Sequence, residues 1–268
     1  MTCSSKMIST ITDDEIERAR VVLDNHTVDP LAREGALESG LFCIASQGEP
    51  WEIPSKFVYA LRKKAHPGDP EFRRRYTTID VLTNADLVNA MAREAGWRFH
   101  HKNRFAPFIE YFGQKAGEWW TDVRDADYEA RRSIIKGIKW ISNKTLDFWM
   151  LCLGRSSIAL DVHVMKGLHA LGVDVNPTFY TPVARSNGSQ RVRRTPNSAE
   201  YAAMEGGART LFAQDERFVK ENGQVDMALV DTILWWGGAN RGDPDQGYLF
   251  GGDRSGLILP YAGPIRPA

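Results

Sequence analysis

Cysteine is scarce in this sequence, and its spacing argues against several classes of site. Only Cys3, Cys43 and Cys152 occur among 268 residues. The odd count and wide spacing disfavour a disulfide framework or a zinc site, and an all-cysteine iron–sulfur cluster needs four ligands. We therefore expect no metal and no other cofactor. Cys43 and Cys152 lie in apolar runs, which predicts that both are buried small hydrophobic residues.

Long apolar runs are also missing. No stretch approaches the ~20 apolar residues that a membrane span needs, and the first segment, MTCSSKMISTITDDEIERAR, lacks the apolar centre of a secretory signal. We therefore predict a cytoplasmic protein that makes no membrane contact. The hydrophobic fraction of 43% and the charged fraction of 25% are typical of a soluble globular chain.

The sequence has no excess of either charge, since 34 Lys and Arg residues balance 34 Asp and Glu residues. A neutral total argues weakly against nucleic-acid binding, because such domains often carry a basic excess. The distribution is uneven, however, and a basic face on a neutral protein can still bind phosphates. The alternative is that each cluster is an ordinary solvated surface. The basic clusters are Arg62 to Lys64, Arg73 to Arg75, and Arg185 with Arg191, Arg193 and Arg194.

Helical periodicity dominates, and strand signals are weak and scattered, which predicts an all-α fold. Capping residues and glycine stops set the expected helix bounds. The segment 173–197, rich in Pro, Asn, Gly and Arg, is predicted to be a long exposed loop. The predicted helices cover 12–23, 33–46, 55–65, 83–95, 102–118, 127–136, 143–153, 161–171, 198–214 and 225–236.

Lys144 and Asp161 begin two successive predicted helices, the first of which is apolar on most sides. A short linker between them can bring both side chains to one cleft. Partial burial of a lysine makes its amine a nucleophile, and a nearby carboxylate can steer protons or stabilise a cation. The alternative is structural, with a lysine near one N-cap and an aspartate capping the next helix.

Four motifs in order resemble the helix-hairpin-helix DNA glycosylases, which include endonuclease III and the 8-oxoguanine glycosylases. The hairpin of that family reads Leu-Pro-Gly-Val-Gly-x-Lys, and its later motif reads hydrophobic-Asp-x-His. The resemblance covers roughly 35–172, with a weaker stretch near 225–240. The matching segments are Ile44 to Gln47, Gly96 to Lys102, Ile138 to Lys144, and Leu160 to His163.

The resemblance implies a role for each matched residue. Lys144 corresponds to the nucleophile that forms a Schiff base with the sugar, and Asp161 to the carboxylate that assists departure of the base. Gln47 corresponds to the residue that fills the gap left by the extruded base, and His163 to a phosphate contact. Further DNA-binding candidates are Lys102, Lys139, Trp140, Ser142 and Asn143. The candidates for the wall of a base pocket are Phe148, Trp149, Trp235 and Trp236.

The resemblance also implies an architecture. One glycosylase unit over 1–268 would have a lobe from about 1–60 and 173–268, a helix-hairpin-helix lobe at about 61–172, and a cleft between them. Trp140 and Ser142 replace two glycines of the family hairpin, and neither readily adopts positive φ. We therefore expect a hairpin of different shape, or one in which Lys139, Ser142 or Asn143 holds the phosphate.

The expected partner is double-stranded DNA containing a modified base, bound by a monomer. The base is either oxidised guanine or a hypermodified phage base such as glucosylated hydroxymethylcytosine, removed in antiviral defence. Three alternatives stay open: a monofunctional glycosylase in which Asp161 activates water, a non-catalytic helix-hairpin-helix module, and an unrelated helical scaffold.

Overall fold

The structure is a computed structural model. It describes residues 8, 11–26, 33–49, 52–113, 127–181, 183–184 and 191–240. Helices dominate these residues, so the predicted all-α class is confirmed for them. The helices are α1 Asp13–His26, α2 Arg33–Ala45, α3 Glu52–Ala65, α4 Ile79–Leu82, α5 Ala85–Glu94, α6 Ala106–Phe108, α7 Tyr128–Gly137, α8 Asn143–Cys152, α9 Val162–Ala170, α10 Ser198–Phe212 and α11 Met227–Asn240.

Shorter elements connect these helices. A π-helical turn at Ile109–Gly113 follows α6 directly, inside a segment predicted as one regular helix. Two strands, β1 Val183–Ala184 and β2 Arg191–Val192, pair antiparallel with Val183 opposite Val192. Single 3-10 turns cover Phe72–Arg74, His100–Lys102, Pro177–Phe179 and Glu216–Phe218.

The segment 173–197 departs from the exposed loop predicted for it. Val175 and Phe179 are buried, and Phe179 ends a 3-10 turn that Asn176 caps. Beyond that turn, the chain forms β1 and β2. The described residues of this segment form no α-helix, as predicted, but the buried side chains of Val175 and Phe179 anchor it in a core.

The chain divides into two compact units. The first unit, which we call the hairpin unit after the tight turn between α7 and α8, contains the described residues from 24 to 155. The second unit contains the described residues 8–23 and 156–240. This division differs from the predicted lobe boundaries in two places. Residues 33–60 belong to the hairpin unit because α2 packs on α3 and α8, and residues 156–172 belong to the second unit because α9 packs on α11.

Helix α2 is the centre of the hairpin unit, and it is buried from Gly35 to Ala45. A helix that is apolar on nearly every side needs neighbours all round, and α3 and α8 are two of them. Gly40 permits one close approach, because a Cβ there would lie 2.2 Å from the ring of Phe108. Larger residues at position 40 would therefore displace an aromatic ring from the core.

A buried ion pair fixes α2 to α3. Glu38 is fully buried, and its Oε1 accepts hydrogen bonds from Arg62 Nε at 3.0 Å and Nη2 at 2.6 Å. Its Oε2 accepts from the backbone N of Thr77 at 2.8 Å and from Thr77 Oγ1 at 2.5 Å. Both charges are thereby paired and hydrogen-bonded, which is the condition for tolerating them in a core.

The second unit is organised by the packing of α9 against α11. Gly167 permits this approach, because a Cβ there would lie 2.9 Å from Leu234 Cδ2 and 3.3 Å from its carbonyl oxygen. Buried polar groups fix the chain just before α9. Asp231 accepts from the backbone N of Ala159 at 2.7 Å, and the Tyr201 hydroxyl donates to the Ile158 carbonyl at 3.1 Å.

No helix within the described residues is both long enough and apolar enough to span a membrane.

Removing the charge of Glu38 is expected to destabilise the hairpin unit strongly. Glu38→Gln leaves the Arg62 guanidinium buried without its carboxylate, which costs about 3–5 kcal/mol of unfolding free energy. Urea denaturation followed by circular dichroism measures this loss. The control is Glu129→Gln, which removes an exposed ion pair to Arg132 in the same unit and should change stability by less than about 1 kcal/mol. Equal stability of the two variants would contradict the assignment.

Candidate functional site

A tight turn joins α7 to α8. The helix α7 ends at Gly137, and α8 begins at Asn143 after Ser142, whose Oγ accepts from the backbone N of Thr145 at 3.3 Å. Trp140 has a φ of 73°, in the left-handed region, although its residue type disfavours that conformation. Ser142, with φ −95°, is extended instead. A non-glycine residue in this region costs about 1–3 kcal/mol and persists only where neighbours impose it.

Gln47 imposes part of that geometry. Its side-chain Nε2 donates to the Trp140 carbonyl at 3.0 Å and to Thr145 Oγ1 at 3.0 Å, while its Oε1 accepts from Arg104 Nη1 at 2.9 Å. The orientation of the amide is chemically determined, because only its oxygen can accept from a guanidinium. In this structure the Gln47 side chain therefore connects the end of α2 to the hairpin.

Among the described residues, three cations lie around the Trp140 ring, which is 36% exposed. Lys102 Nζ lies 5.4 Å from the ring centroid, Arg104 Cζ 5.2 Å and Lys139 Nζ 5.1 Å. Arg104 also lies over the ring of Phe99 at 3.9 Å, and burial lowers the pKa of its guanidinium. Sequence reasoning selected Lys102 and Lys139 but missed Arg104. A basic residue two positions after Lys102 was the available signal.

Lys144 lies in the first turn of α8 and is half-buried. Cys43 and Cys152 are buried as predicted, with their Sγ atoms 3.9 Å apart. Burial, helped by the hydrogen bond with Cys152, raises the pKa of the Cys43 thiol well above its ordinary value, whereas the charge of Lys144 lowers it. The Lys144 charge therefore acts electrostatically on the buried Cys43 thiol.

The aromatic residues of α8 lie in different environments. Trp149 is 3% exposed, its Nε1 donates to the Ala36 carbonyl at 2.9 Å, and it packs edge-on against Phe108 and Phe112. This packing favours a core role for Trp149 over the predicted role in a base pocket. Phe148 is half-buried, with its ring centroid 6.2 Å from that of Phe42.

Asp161 is the N-cap of α9. Its Oδ1 accepts from the backbone N of His163 at 2.8 Å and from that of Val164 at 2.9 Å. Its Oδ2 accepts from Trp235 Nε1 at 3.1 Å. Both oxygens are thus oriented, one by the helix and the other by an indole on α11. Asp161 as a residue is half-buried among the described residues.

His163 completes a small group with Asp161 and Trp235 in the second unit. The rings of His163 and Trp235 are 5.8 Å apart at an angle of 71°. His163 Nδ1 is buried and has no hydrogen-bond partner among the described residues. The side chain of Trp236, another predicted base-pocket residue, lies outside the described residues. Three predicted site residues are therefore brought together here.

The predicted DNA-binding residues other than His163 belong to the hairpin unit. Gln47, Trp140 and Ser142 meet at the turn through the hydrogen bonds given above, Lys102 and Lys139 flank the Trp140 ring, and Asn143 begins α8. Lys144 also belongs to this unit, whereas Asp161 belongs to the second unit. Among the described residues, no group of three or more His, Cys, Asp or Glu side chains could hold a metal ion.

No protein-family model matches this chain, and no curated protein matches it significantly.

The cap role of Asp161 predicts a graded loss of stability. Asp161→Ala removes both acceptors and should cost about 0.5–2 kcal/mol of unfolding free energy. Asp161→Asn keeps an acceptor for the two backbone amides and should cost less, although its NH₂ group cannot accept from Trp235. Urea denaturation of the two variants measures the difference. An alanine variant as stable as the parent protein would contradict the capping role.

Proposed function

We propose that this chain is a DNA glycosylase of the helix-hairpin-helix superfamily that excises a modified base through Lys144. The observation that carries the proposal is the turn between α7 and α8. Trp140 adopts a positive φ at a position where the family hairpin has glycine, and the lysine follows in the first turn of the next helix. A strained non-glycine conformation is found preferentially at functional positions.

Lys144 is proposed to act as the nucleophile. Its neutral amine attacks C1′ of the nucleotide, and the bond between C1′ and the base breaks, with the electron pair leaving on the base. The departing base takes up one proton, which the ammonium formed by the attack supplies. Ring opening then gives a Schiff base between Lys144 and C1′, and this intermediate also permits strand cleavage as an abasic-site lyase.

Asp161 is proposed to stabilise the positive charge that develops on the sugar as the base departs. A carboxylate oriented before the reaction stabilises such a charge without further reorganisation. The hydrogen bonds to the α9 amides and to Trp235 provide that orientation. His163 is proposed to contact a DNA phosphate beside it.

The basic and polar residues of the hairpin support DNA binding. Lys102 and Lys139 are exposed cations, and Ser142 and Asn143 stand at the amino end of α8, where backbone amides favour an anion. We assign Gln47 a positioning role for the hairpin in addition to the proposed filling of the gap left by the base. The base must leave the stack, which costs a few kcal/mol.

The proposed substrate is oxidised guanine or a hypermodified phage base such as glucosylated hydroxymethylcytosine, removed in antiviral defence. Phe148, Trp235 and Trp236 remain the proposed base-contacting aromatics. The first two are half-buried, whereas Trp149 is packed in the core. A monofunctional glycosylase using Asp161-activated water and a non-catalytic DNA-binding module are the alternatives that the following experiments separate.

Lys144→Ala is expected to abolish covalent trapping by borohydride. The panel contains duplexes with 8-oxoguanine, uracil or oxidised pyrimidines, and phage DNA with glucosylated hydroxymethylcytosine. A substrate that gives an adduct identifies the base, because reduction fixes the Schiff base as a stable amine. The matched control is Lys136→Ala, which removes an exposed lysine from α7 and should trap normally. An adduct that persists in Lys144→Ala would refute the nucleophile assignment, and abasic sites without an adduct would favour the water mechanism.

Asp161→Asn is expected to lower the rate of base excision by about 100-fold or more, because an electrostatic contribution to the transition state is lost. The substitution keeps an acceptor for the α9 amides, so DNA binding should change little. Single-turnover excision and fluorescence anisotropy give the two quantities. Asp174→Asn, at an exposed position of the same unit, is the control. Excision at the parent rate would contradict the role of Asp161.

A further inference from the structure

Trp140 combines exposure with backbone strain. Of the large hydrophobic residues that the structure describes, it is one of three that are exposed, with Val21 and Tyr59. Its φ is positive, and its carbonyl accepts a hydrogen bond from Gln47 Nε2. A glycine would form this turn without strain. The shape of the turn therefore does not explain why a tryptophan stands at this position.

Within the described part of the chain, the cations around the ring have no acidic counterpart. No carboxylate among the described residues forms an ion pair with Lys102, Arg104 or Lys139. Three positive charges close to one ring repel one another, and an anion would relieve that repulsion. The Arg104 guanidinium is held in place by Gln47 and Phe99, with its Nε buried and unpartnered.

An aromatic face beside several cations matches one kind of ligand, a nucleotide. The ring stacks on a base, and the cations contact the phosphates on either side. A cation–π contact at an exposed site contributes only about 0.5–1 kcal/mol. The flexible lysine head groups can therefore leave the ring for phosphate oxygens at small cost. In an intact duplex, neighbouring bases already cover each base face, so the ring needs an unpaired base.

We propose that Trp140 stacks on an unpaired DNA base while Lys102, Arg104 and Lys139 contact the adjoining phosphates. This inference rests on the proposed function for the choice of DNA as the ligand, but it is independent of the chemistry of Lys144. It makes Trp140 a base-binding residue of the hairpin and Arg104 a further phosphate-binding residue. Lesion sites that have lost or extruded a base expose such an unpaired nucleotide on the opposite strand.

The test compares binding of a dye-labelled oligothymidine with binding of an abasic oligomer of equal length, by fluorescence anisotropy with the full chain. Trp140→Gly deletes the ring and suits the positive φ, so the turn should keep its shape. Its affinity for oligothymidine should fall about 5- to 150-fold, as expected for loss of one stacked base. Its affinity for the abasic oligomer should change less than about twofold, because the phosphate contacts remain.

Four further variants keep the test decisive. Trp140→Asn is a second ring deletion that tolerates positive φ, and it replaces the glycine variant if that protein fails to fold. Trp140→Phe keeps a stacking ring and should retain most of the affinity. Tyr59→Ala removes another exposed aromatic with a cation over its ring in the hairpin unit, and it should bind both oligomers normally. Arg104→Ala should lower the affinity for both oligomers by a similar factor.

Two outcomes would overturn the inference. Equal loss of affinity for both oligomers in Trp140→Gly would show that the hairpin contacts phosphates and not bases. Unchanged affinity for oligothymidine would exclude stacking. Trapping at Lys144 on the duplex panel reports separately on the proposed function. An adduct with unchanged oligothymidine affinity refutes only the stacking, whereas selective loss of affinity with neither an adduct nor abasic sites on any duplex refutes only the glycosylase.

Discussion

The hairpin geometry depends on the hydrogen bonds of one side-chain amide. Gln47 donates to the Trp140 carbonyl and to Thr145 Oγ1, and it accepts from Arg104. Three separate parts of the chain are thereby joined at a point where Trp140 has an unfavourable backbone conformation. Such a conformation persists only when several independent interactions around it hold it in place. The Ser142 cap of α8 is a second such interaction.

The hairpin unit is packed around α2. This helix is buried along nearly its whole length, its Glu38 is neutralised by Arg62, and its close contact with Phe108 requires Gly40. Gln47 lies in the turn that directly follows α2. A functional group placed next to an immobile element keeps its geometry with little loss of entropy on binding. The core therefore supports the hairpin, although none of its residues needs to contact a ligand.

Asp161 shows how a structural role and a proposed chemical role can coincide. One oxygen satisfies the first amides of α9, and the other accepts from an indole on α11. These bonds fill both acceptor positions of Oδ1 and one of the two on Oδ2, so Oδ2 can accept one more hydrogen bond. The structural alternative considered for this residue, an N-cap, is therefore correct as a description of its contacts. Capping alone does not account for the neighbouring unpartnered Nδ1 of His163.

Most helices of the described residues could be predicted from the sequence. The expected bounds 33–46 and 143–153 compare with Arg33–Ala45 and Asn143–Cys152 in the structure, because apolar periodicity and capping residues are local signals. The burial of Cys43 and Cys152 followed from their apolar surroundings. The choice between core and pocket for Trp149 could not be predicted. A helix that is apolar on all sides carries no periodic signal for which face meets a neighbour.

The sequence by itself determined the helical class, the positions of the caps and the order of the candidate motifs. Each of these depends on residues a few positions apart. Only the tertiary structure decided that Trp140 takes a positive φ, that Arg104 joins Lys102 and Lys139 at its ring, and that Trp235 bonds to Asp161. These arrangements arise between residues far apart in the chain, and packing can override the local preference of a single residue at a cost of a few kcal/mol.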